Sequence, residues 1–123
     1  TFSQIEHVIY PGRKDHPDCD AAQSLFDPCY GNIVSFELAG GRERVNHLIR
    51  NLDQIPLVPT LGHIETIISH PASTSHRSLT VKRRSELGIS DALLRVSVGC
   101  EVIETLEQQF RAALQDQGNT GFS

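Results

Sequence analysis

The sequence predicts an α+β domain with layered α/β character, in which a small sheet of three to four strands is covered by helices mainly on one face. Two observations predict this fold class. Short segments rich in β-branched residues are interleaved with segments whose apolar residues recur at helical spacing. The connections vary in length, and no repeat or linker divides the 123 residues, so we expect a single domain over residues 1–123.

The first predicted strand and helix lie in the first quarter of the chain. Ile5 to Tyr10 is typical of a short strand, which ends at the turn dipeptide Pro11-Gly12. Asp18 is a suitable cap for a helix that continues to Phe26. The predicted inner face of this helix comprises Ala21, Ala22, Leu25 and Phe26.

The second strand and helix follow directly. Asn32 to Leu38 alternates between apolar residues and the polar Ser35 and Glu37, which predicts a strand with one polar-lined face. A glycine turn separates it from an amphipathic helix over Arg42 to Leu52. The apolar stripe of that helix is predicted to be Val45, Leu48, Ile49 and Leu52.

A third strand and a short helix are predicted next. Leu57 and Val58 form a brief extended piece between two prolines, and Glu65 to Ser69 is a short strand candidate. Thr80 caps a helix that runs to Leu87. Gly88 ends this helix, because glycine tolerates the left-handed conformation that closes a helix.

The last strand and helix complete the predicted fold. Ala92 to Val98 is β-branched and almost wholly apolar, which predicts a buried strand. Glu101 to Gln117 predicts a helix whose early acids, Glu101 and Glu104, suit the positive end of the helix dipole. Gly118 to Ser123 is expected to be a frayed tail. The apolar residues at helical spacing are Ile103, Leu106, Phe110, Ala113 and Leu114.

Composition excludes several classes of function. The net charge is -4 and the longest basic run is Lys82-Arg83-Arg84, which argues against a nucleic-acid partner. No apolar run approaches the ~20 residues of a membrane helix, and no secretory segment is present. The three cysteines and six histidines show no metal-ligand spacing, so no metal site is expected. These observations favour a cytoplasmic protein with reduced thiols.

Arg95 is the most informative single residue, because it stands in the middle of the predicted apolar strand. It shares a strand face with Leu93 and Ser97. A guanidinium on such a strand is costly unless an anion meets it, and its rigid fork suits a carboxylate or a phosphate. One interpretation is therefore a clamp for a ligand carboxylate. The alternatives are an internal ion pair with one of the chain's own acids, or an edge strand with Arg95 in water.

A second candidate is the segment Pro59-Thr60-Leu61-Gly62. Thr60 places a hydroxyl between a proline and a nearby glycine, where backbone N–H groups are free to bind an anion. The alternative interpretation is an ordinary turn.

Several separate motifs, in the same order, resemble one enzyme family. Gly88-Ile89-Ser90 precedes Arg95-Val96-Ser97-Val98-Gly99, which is followed by acidic residues. Earlier blocks match as well, and together they run from about Val8 to Leu114. This pattern resembles the Cys/Met-metabolism (trans-sulfuration) family of pyridoxal-phosphate enzymes, which includes cystathionine gamma-synthase, cystathionine gamma-lyase, methionine gamma-lyase and the O-acylhomoserine sulfhydrylases. The earlier blocks are Tyr10-Pro11-Gly12, Thr60-Leu61-Gly62, Glu65-Thr66-Ile67 and His70-Pro71-Ala72-Ser73.

The resemblance implies the C-terminal domain of a fold-type I pyridoxal-phosphate enzyme, acting by γ-elimination or γ-replacement on methionine, cystathionine or O-acylhomoserine. In the family, the arginine at the place of Arg95 holds the α-carboxylate of the substrate. Thr60 stands where the family has a supporting serine, and Leu61 belongs to the same substrate-binding segment. The resemblance assigns no catalytic, cofactor-binding or metal-binding residue to this chain. It also implies a homo-oligomer, a tetramer, for the intact enzyme.

The lysine that would hold the cofactor is missing. Lys14 lies in a polar loop and Lys82 in a charged helix, and neither has the family's Ser-x-Thr-Lys context. We therefore expect the large cofactor-binding domain, the partner of this domain, to be absent from this chain, which begins at Thr1, and the chain alone to be inactive. The alternative from another class is a free-standing α+β regulatory module that binds an amino acid through Arg95 without turnover.

Overall fold

A four-stranded antiparallel sheet forms the centre of the structure, a computed structural model that describes residues 2–115. The order of the strands in the sheet is β1-β2-β4-β3, and every neighbouring pair is antiparallel. All four predicted strands are therefore confirmed, with ends within two residues of the prediction. The strands are β1 (Ile5–Ile9), β2 (Ile33–Leu38), β3 (Ile67–Ser69) and β4 (Leu93–Ser97).

Four helices and one short 3₁₀ turn surround the sheet in the described residues. The cap predicted for α3 is present, since the hydroxyl oxygen of Thr80 accepts a hydrogen bond from the Arg83 N–H at 3.2 Å. Gly88, with a φ of 73°, follows the end of α3 as predicted. The helices are α1 (Cys19–Phe26), α2 (Gly41–Asn51), α3 (Val81–Glu86) and α4 (Ile103–Gln115), and the 3₁₀ turn is Pro71–Ser73.

The hydrophobic core lies between one face of the sheet and helices α2 and α4. Val45 and Leu48 of α2 are fully buried, and Leu52 just after the helix is 4% exposed, so the predicted stripe of α2 is confirmed. Burying such a side chain contributes about 1.5–3 kcal/mol, so this face of α2 stabilises the fold. The sheet residues of the core are Phe36, Leu38, Ile68, Leu94 and Val96, and α4 adds Leu106, Ala113 and Leu114.

Three predictions about the helices are wrong. Of the predicted inner face of α1, only Ala22 is buried, whereas Ala21 is exposed and Leu25 and Phe26 are 73% and 58% exposed. The core cluster contains no residue of α1. Ile103, at the start of α4, is 56% exposed. Periodicity shows which residues share a helix face, but it does not show whether another element covers that face. Glu101 lies two residues before α4 rather than within it.

Two predicted segments extend beyond the structure as described. The predicted last helix extends to Gln117, and residues 116 and 117 lie outside the described residues, as does the predicted tail from Gly118 to Ser123.

The brief extended piece at Leu57 pairs with Ile68 as a single parallel bridge next to β3. No helix within residues 2–115 has the length and apolarity that a membrane crossing requires.

Candidate functional site

Arg95 lies in the middle of β4, on the sheet face opposite the core. Its direct cross-strand neighbours are Ser35 of β2 and Ser69 of β3. Leu94 and Val96, on either side of Arg95 in sequence, belong to the core cluster. Because successive strand residues point to opposite faces, Arg95 projects from the side of the sheet opposite the core, on the strand face predicted for it with Leu93 and Ser97.

The charge of Arg95 has no anionic partner within residues 2–115. Its Nη2 donates a hydrogen bond to the backbone oxygen of Thr60 at 3.1 Å, whereas its buried Nε has no acceptor in the described residues. The four ion pairs within residues 2–115 all involve other arginines. The alternative that Arg95 forms an internal ion pair is therefore not supported, because no acid of the described residues pairs with it. The edge-strand alternative is wrong, because β4 lies between β2 and β3.

The segment Thr60–Gly62, which we call the Thr60 loop, lies against the same side of β4. Gly62 donates its backbone N–H to the hydroxyl oxygen of Ser97 at 2.9 Å, and Thr60 accepts from Arg95. Ser97 is two residues beyond Arg95, so both bonds attach the loop to one face of one strand. The fold thus brings Thr60 and Arg95 into contact although they are 35 positions apart, and Leu61 follows Thr60 in the same loop.

One expectation for the Thr60 loop is corrected by these contacts. The N–H of Gly62 is not free for an anion, because Ser97 accepts it. The N–H groups of Thr60 and Leu61 make no hydrogen bond within the described part of the chain. Both residues are exposed, and the side chain of Leu61 is 54% exposed.

Sequence reasoning missed a pair of residues behind the Thr60 loop. The carboxylate of Glu101 accepts hydrogen bonds from both the N–H and the hydroxyl of Thr66, at 2.6 and 2.7 Å. Both bonds lower the pKa of Glu101, because they stabilise its ionised form, and the bond from the backbone N–H has the larger effect. No local pattern connects residues 35 positions apart, so the sequence alone predicts only a helix-dipole role for Glu101.

Gly99 allows the end of β4 to approach the segment before β3. A Cβ at Gly99 would overlap the backbone of Ile64, Glu65 and Thr66. Glycine is required where two backbones come this close, because it has no side chain. The Gly99 N–H donates to the Thr66 hydroxyl oxygen at 2.9 Å. The Arg-x-Ser-x-Gly order of the sequence thus has a physical basis in this contact.

A second polar cluster surrounds His70, which is 2% exposed. Its Nε2 lies 2.8 Å from the backbone oxygen of Asp91, and its Nδ1 lies 2.7 Å from the hydroxyl of Ser73. A carbonyl oxygen can only accept, so we assign the proton to Nε2 and the acceptor role to Nδ1. Burial lowers the pKa of His70, which favours the neutral ring that this pair of hydrogen bonds requires.

Asp91 joins that cluster to two arginines. Its Oδ1 lies 3.0 Å from Nη2 of Arg42 and 3.2 Å from Nη2 of Arg84. The hydrogen bond from Arg42 is the main cause of a lowered pKa of Asp91. These contacts join α2, α3 and the turn before β4, which is a structural role. Within residues 2–115, no group of three or more His, Cys, Asp or Glu side chains is placed to hold a metal ion.

Comparison with known proteins decides the family. The family model described as Cys/Met metabolism PLP-dependent enzyme matches residues 2–115. The chain belongs to this family of pyridoxal-phosphate-dependent enzymes. The resemblance drawn from the motifs is confirmed by this match.

Named relatives of this Cys/Met-metabolism chain have several activities. An L-methionine gamma-lyase of Fusobacterium nucleatum subsp. polymorphum is 39% identical over 112 residues, covering 91% of this chain and 28% of that protein. An O-acetyl-L-homoserine sulfhydrylase of Thermus thermophilus is 36% identical, covering 90% of this chain and 26% of that protein.

A solved structure resembles this chain closely. Cystathionine gamma synthase from Xanthomonas oryzae pv. oryzae, in complex with cystathionine, superimposes with a TM-score of 0.82 and 36% identity, covering 92% of this chain and 29% of that chain. The α+β fold of a C-terminal domain in this family is thereby confirmed. This chain spans about 28% of the length of the first curated relative it matches.

The residues of this chain do not fit the cofactor. Lys14 lies in the turn after β1 and Lys82 in the first turn of α3, and both are exposed. A lysine that binds a pyridoxal aldehyde has to be desolvated or next to another cation before it can react at neutral pH. Both lysines are exposed rather than desolvated, and the cations that follow Lys82 are compensated, because Arg83 pairs with Glu86 and Arg84 with Asp91. We therefore derive no step through the cofactor from this chain.

Proposed function

We propose that this chain is the C-terminal, substrate-carboxylate domain of a pyridoxal-phosphate-dependent enzyme of sulfur amino-acid metabolism. We further propose γ-elimination or γ-replacement on methionine, cystathionine or O-acylhomoserine as its reaction class. Family membership and relatives named L-methionine gamma-lyase and O-acetyl-L-homoserine sulfhydrylase support this proposal. The solved cystathionine gamma synthase with cystathionine bound supports an amino-acid substrate.

The observation that carries the proposal is the uncompensated charge of Arg95 on an interior strand. Thr60 occupies one hydrogen of Nη2, and Nε is buried. The donors that remain are Nη1 and the second hydrogen of Nη2, which lie side by side at the tip of the guanidinium. We infer that a substrate α-carboxylate binds across these two nitrogens, in the bidentate geometry that suits arginine.

The Thr60 loop supplies the second half of the proposed site. The hydroxyl of Thr60 and the unused N–H groups of Thr60 and Leu61 are further donors for a carboxylate. The exposed side chain of Leu61 provides apolar surface for the aliphatic part of the substrate. By fixing the carboxylate at both ends, Arg95 and the loop orient the Cα–H bond of the substrate for reaction.

The rest of the enzyme follows from the same proposal. The large domain that holds the cofactor is the partner of this domain, and the 123-residue chain by itself is inactive. We propose a cytoplasmic homo-oligomer, a tetramer, that acts on a small-molecule amino acid. The three cysteines, of which Cys29 and Cys100 are exposed, are free thiols, as a reducing compartment would keep them.

An assay of the intact enzyme tests the proposal. The protein that carries this chain should release a thiol from methionine or cystathionine, or incorporate sulfide into O-acetylhomoserine, whereas the 123-residue chain alone should do neither. An intact protein that binds amino acids without turning over any of these substrates would contradict the proposal. It would favour the regulatory module instead.

A further inference from the structure

The segment between the Thr60 loop and β3 is fastened to the end of β4 at several points. Gly62 donates to Ser97, and Cys100 donates its N–H to the backbone oxygen of Ile64 at 2.9 Å. Beyond these, Thr66 makes contacts with both Gly99 and Glu101. The loop that faces Arg95 is therefore held at its far end by side chains that do not face the proposed substrate site.

Thr66 is fully buried and its hydroxyl has one possible arrangement. The oxygen accepts from the Gly99 N–H, so its single hydrogen is directed to the Glu101 carboxylate, 2.7 Å away. The other carboxylate oxygen of Glu101 accepts from the N–H of Thr66. Because the acceptor is ionised, these are charge-assisted bonds, which are shorter and stronger than neutral ones.

The geometry connects this pair to the orientation of Arg95. The backbone oxygen of Thr60 fixes one hydrogen of Nη2, and its position depends on where the Thr60 loop sits relative to β4. The loop is joined to β4 through Gly62 and Ser97 at one end, and through Thr66, Gly99 and Glu101 at the other. A displacement of this second attachment would shift the carbonyl oxygen of Thr60 that aligns the guanidinium.

We propose that Thr66 and Glu101 are positioning residues for substrate binding. The pair holds the Thr60 loop at the distance from β4 at which Thr60 and Arg95 bind one carboxylate together. Neither residue contacts the substrate in this arrangement. The inference rests on the proposed function, because it concerns the same carboxylate site.

The test measures ligand binding to the intact enzyme rather than turnover. Norleucine has the shape of methionine without a γ leaving group, and norleucinamide lacks the carboxylate. Glu101→Gln removes the charge from both bonds with Thr66, and Thr66→Val removes the hydroxyl's bonds to Glu101 and Gly99. In both variants the displaced loop should raise the dissociation constant of norleucine about tenfold. The constant for norleucinamide should change less than about twofold. Amide hydrogen exchange at residues 61–66 should become faster in both variants.

Matched variants control for a general loss of structure. Thr66→Ser keeps the hydroxyl and should bind norleucine as the wild type does. Glu104→Gln removes an exposed acid three positions from Glu101, in the first turn of α4, and should have no effect on either ligand. If Thr66→Val does not fold, Glu101→Gln against Thr66→Ser remains a complete comparison.

The outcomes separate this inference from the proposed function. An equal loss of affinity for norleucine and norleucinamide would overturn the positioning role of Thr66 and Glu101. Faster amide hydrogen exchange with unchanged norleucine affinity would overturn it as well. Arg95→Ala is measured in parallel. If Arg95→Ala selectively weakens norleucine binding and the variants of Thr66 and Glu101 do not, only the positioning role is wrong. If Arg95→Ala leaves the ratio of the two ligands unchanged, the carboxylate site itself is wrong.

Discussion

The guanidinium of Arg95 and the backbone oxygen of Thr60 are joined by a hydrogen bond of 3.1 Å, across 35 residues of sequence. The bond uses one of the five N–H donors of the arginine and fixes the direction of the others. It also shows that Thr60 contributes its backbone to this contact. The side chain of Thr60 therefore matters less to the orientation of Arg95 than its place in the loop.

The first prediction concerns that side chain. Thr60→Ala should raise the Michaelis constant of the intact enzyme by at most about tenfold, because a single exposed hydroxyl that donates to a carboxylate contributes about 1.5 kcal/mol and the backbone oxygen that aligns Arg95 remains. Thr60→Ser should be almost neutral, since it keeps the hydroxyl. Steady-state kinetics of the two variants provide the measurement. A loss of a hundredfold in Thr60→Ala would show that the hydroxyl itself is a principal substrate ligand.

The second prediction concerns pH and His70. The folded-state pKa of His70 is lowered, chiefly by burial, below the 6.5 of an unperturbed histidine. As the pH falls below about 6.5, the unfolded chain therefore takes up a proton before the folded one. The free energy of unfolding should decrease from pH 7 to pH 5. Asp91 and Glu101 have lowered pKa values, so they stay ionised in this range and do not cause the decrease.

Denaturant unfolding at pH 7.5 and pH 5.5 measures this effect. His70→Gln should unfold more easily by about 1–3 kcal/mol at pH 7.5, because a glutamine amide does not reproduce both hydrogen bonds of the buried ring. The stability of this variant should also depend less on pH. His7→Gln, at an exposed position of β1, is the matched control. An equally steep pH dependence in His70→Gln and in the control would rule out His70 as the titrating group.

The third prediction concerns the close approach at Gly99. An added methyl group would overlap the backbone of Ile64, Glu65 and Thr66, so Gly99→Ala should destabilise the protein by about 1–3 kcal/mol. The melting temperature reports the effect. Cys100→Ala, at the next and exposed position, should leave the melting temperature almost unchanged. A Gly99→Ala variant as stable as the wild type would show that the two segments separate easily.

The fourth prediction concerns the cofactor. The 123-residue chain, mixed with pyridoxal phosphate and then reduced with borohydride, should gain no stoichiometric label by mass spectrometry. The reason is that Lys14 and Lys82 are both exposed and lack the surroundings that activate a lysine. Exposed lysines of an unrelated protein give the background level. A single complete label on either residue would contradict the account.

Much of the fold could be predicted from local pattern. The four strands, the stripe of α2 and the cap at Thr80 depend on neighbouring residues, and all are confirmed. The exposure of Leu25 and Phe26 could not be predicted, because it depends on what packs against α1. A pattern of apolar residues describes one face of an element and not its partner.

For the candidate site too, local sequence pattern does not show which distant residues come into contact. Alternation predicted the face of Arg95, but only the sheet order shows that β4 is an interior strand. The bonds of Arg95 to Thr60 and of Thr66 to Glu101 each connect positions 35 residues apart. Such contacts are set by tertiary packing, and no local signal in the sequence marks Glu101 as the acceptor for Thr66.

The central claim is that Arg95 binds the α-carboxylate of the substrate. The most direct test is the affinity of the intact enzyme for norleucine and norleucinamide, in the wild type, in Arg95→Ala and in Arg95→Lys. Loss of a bidentate charged contact of about 1.5–3 kcal/mol should weaken norleucine binding roughly ten- to a hundredfold in Arg95→Ala. Arg95→Lys should recover only part of this loss, because an ammonium does not reproduce the fork. Norleucinamide binding should change little in either variant; an equal loss for both ligands, or no loss for norleucine, would contradict the account.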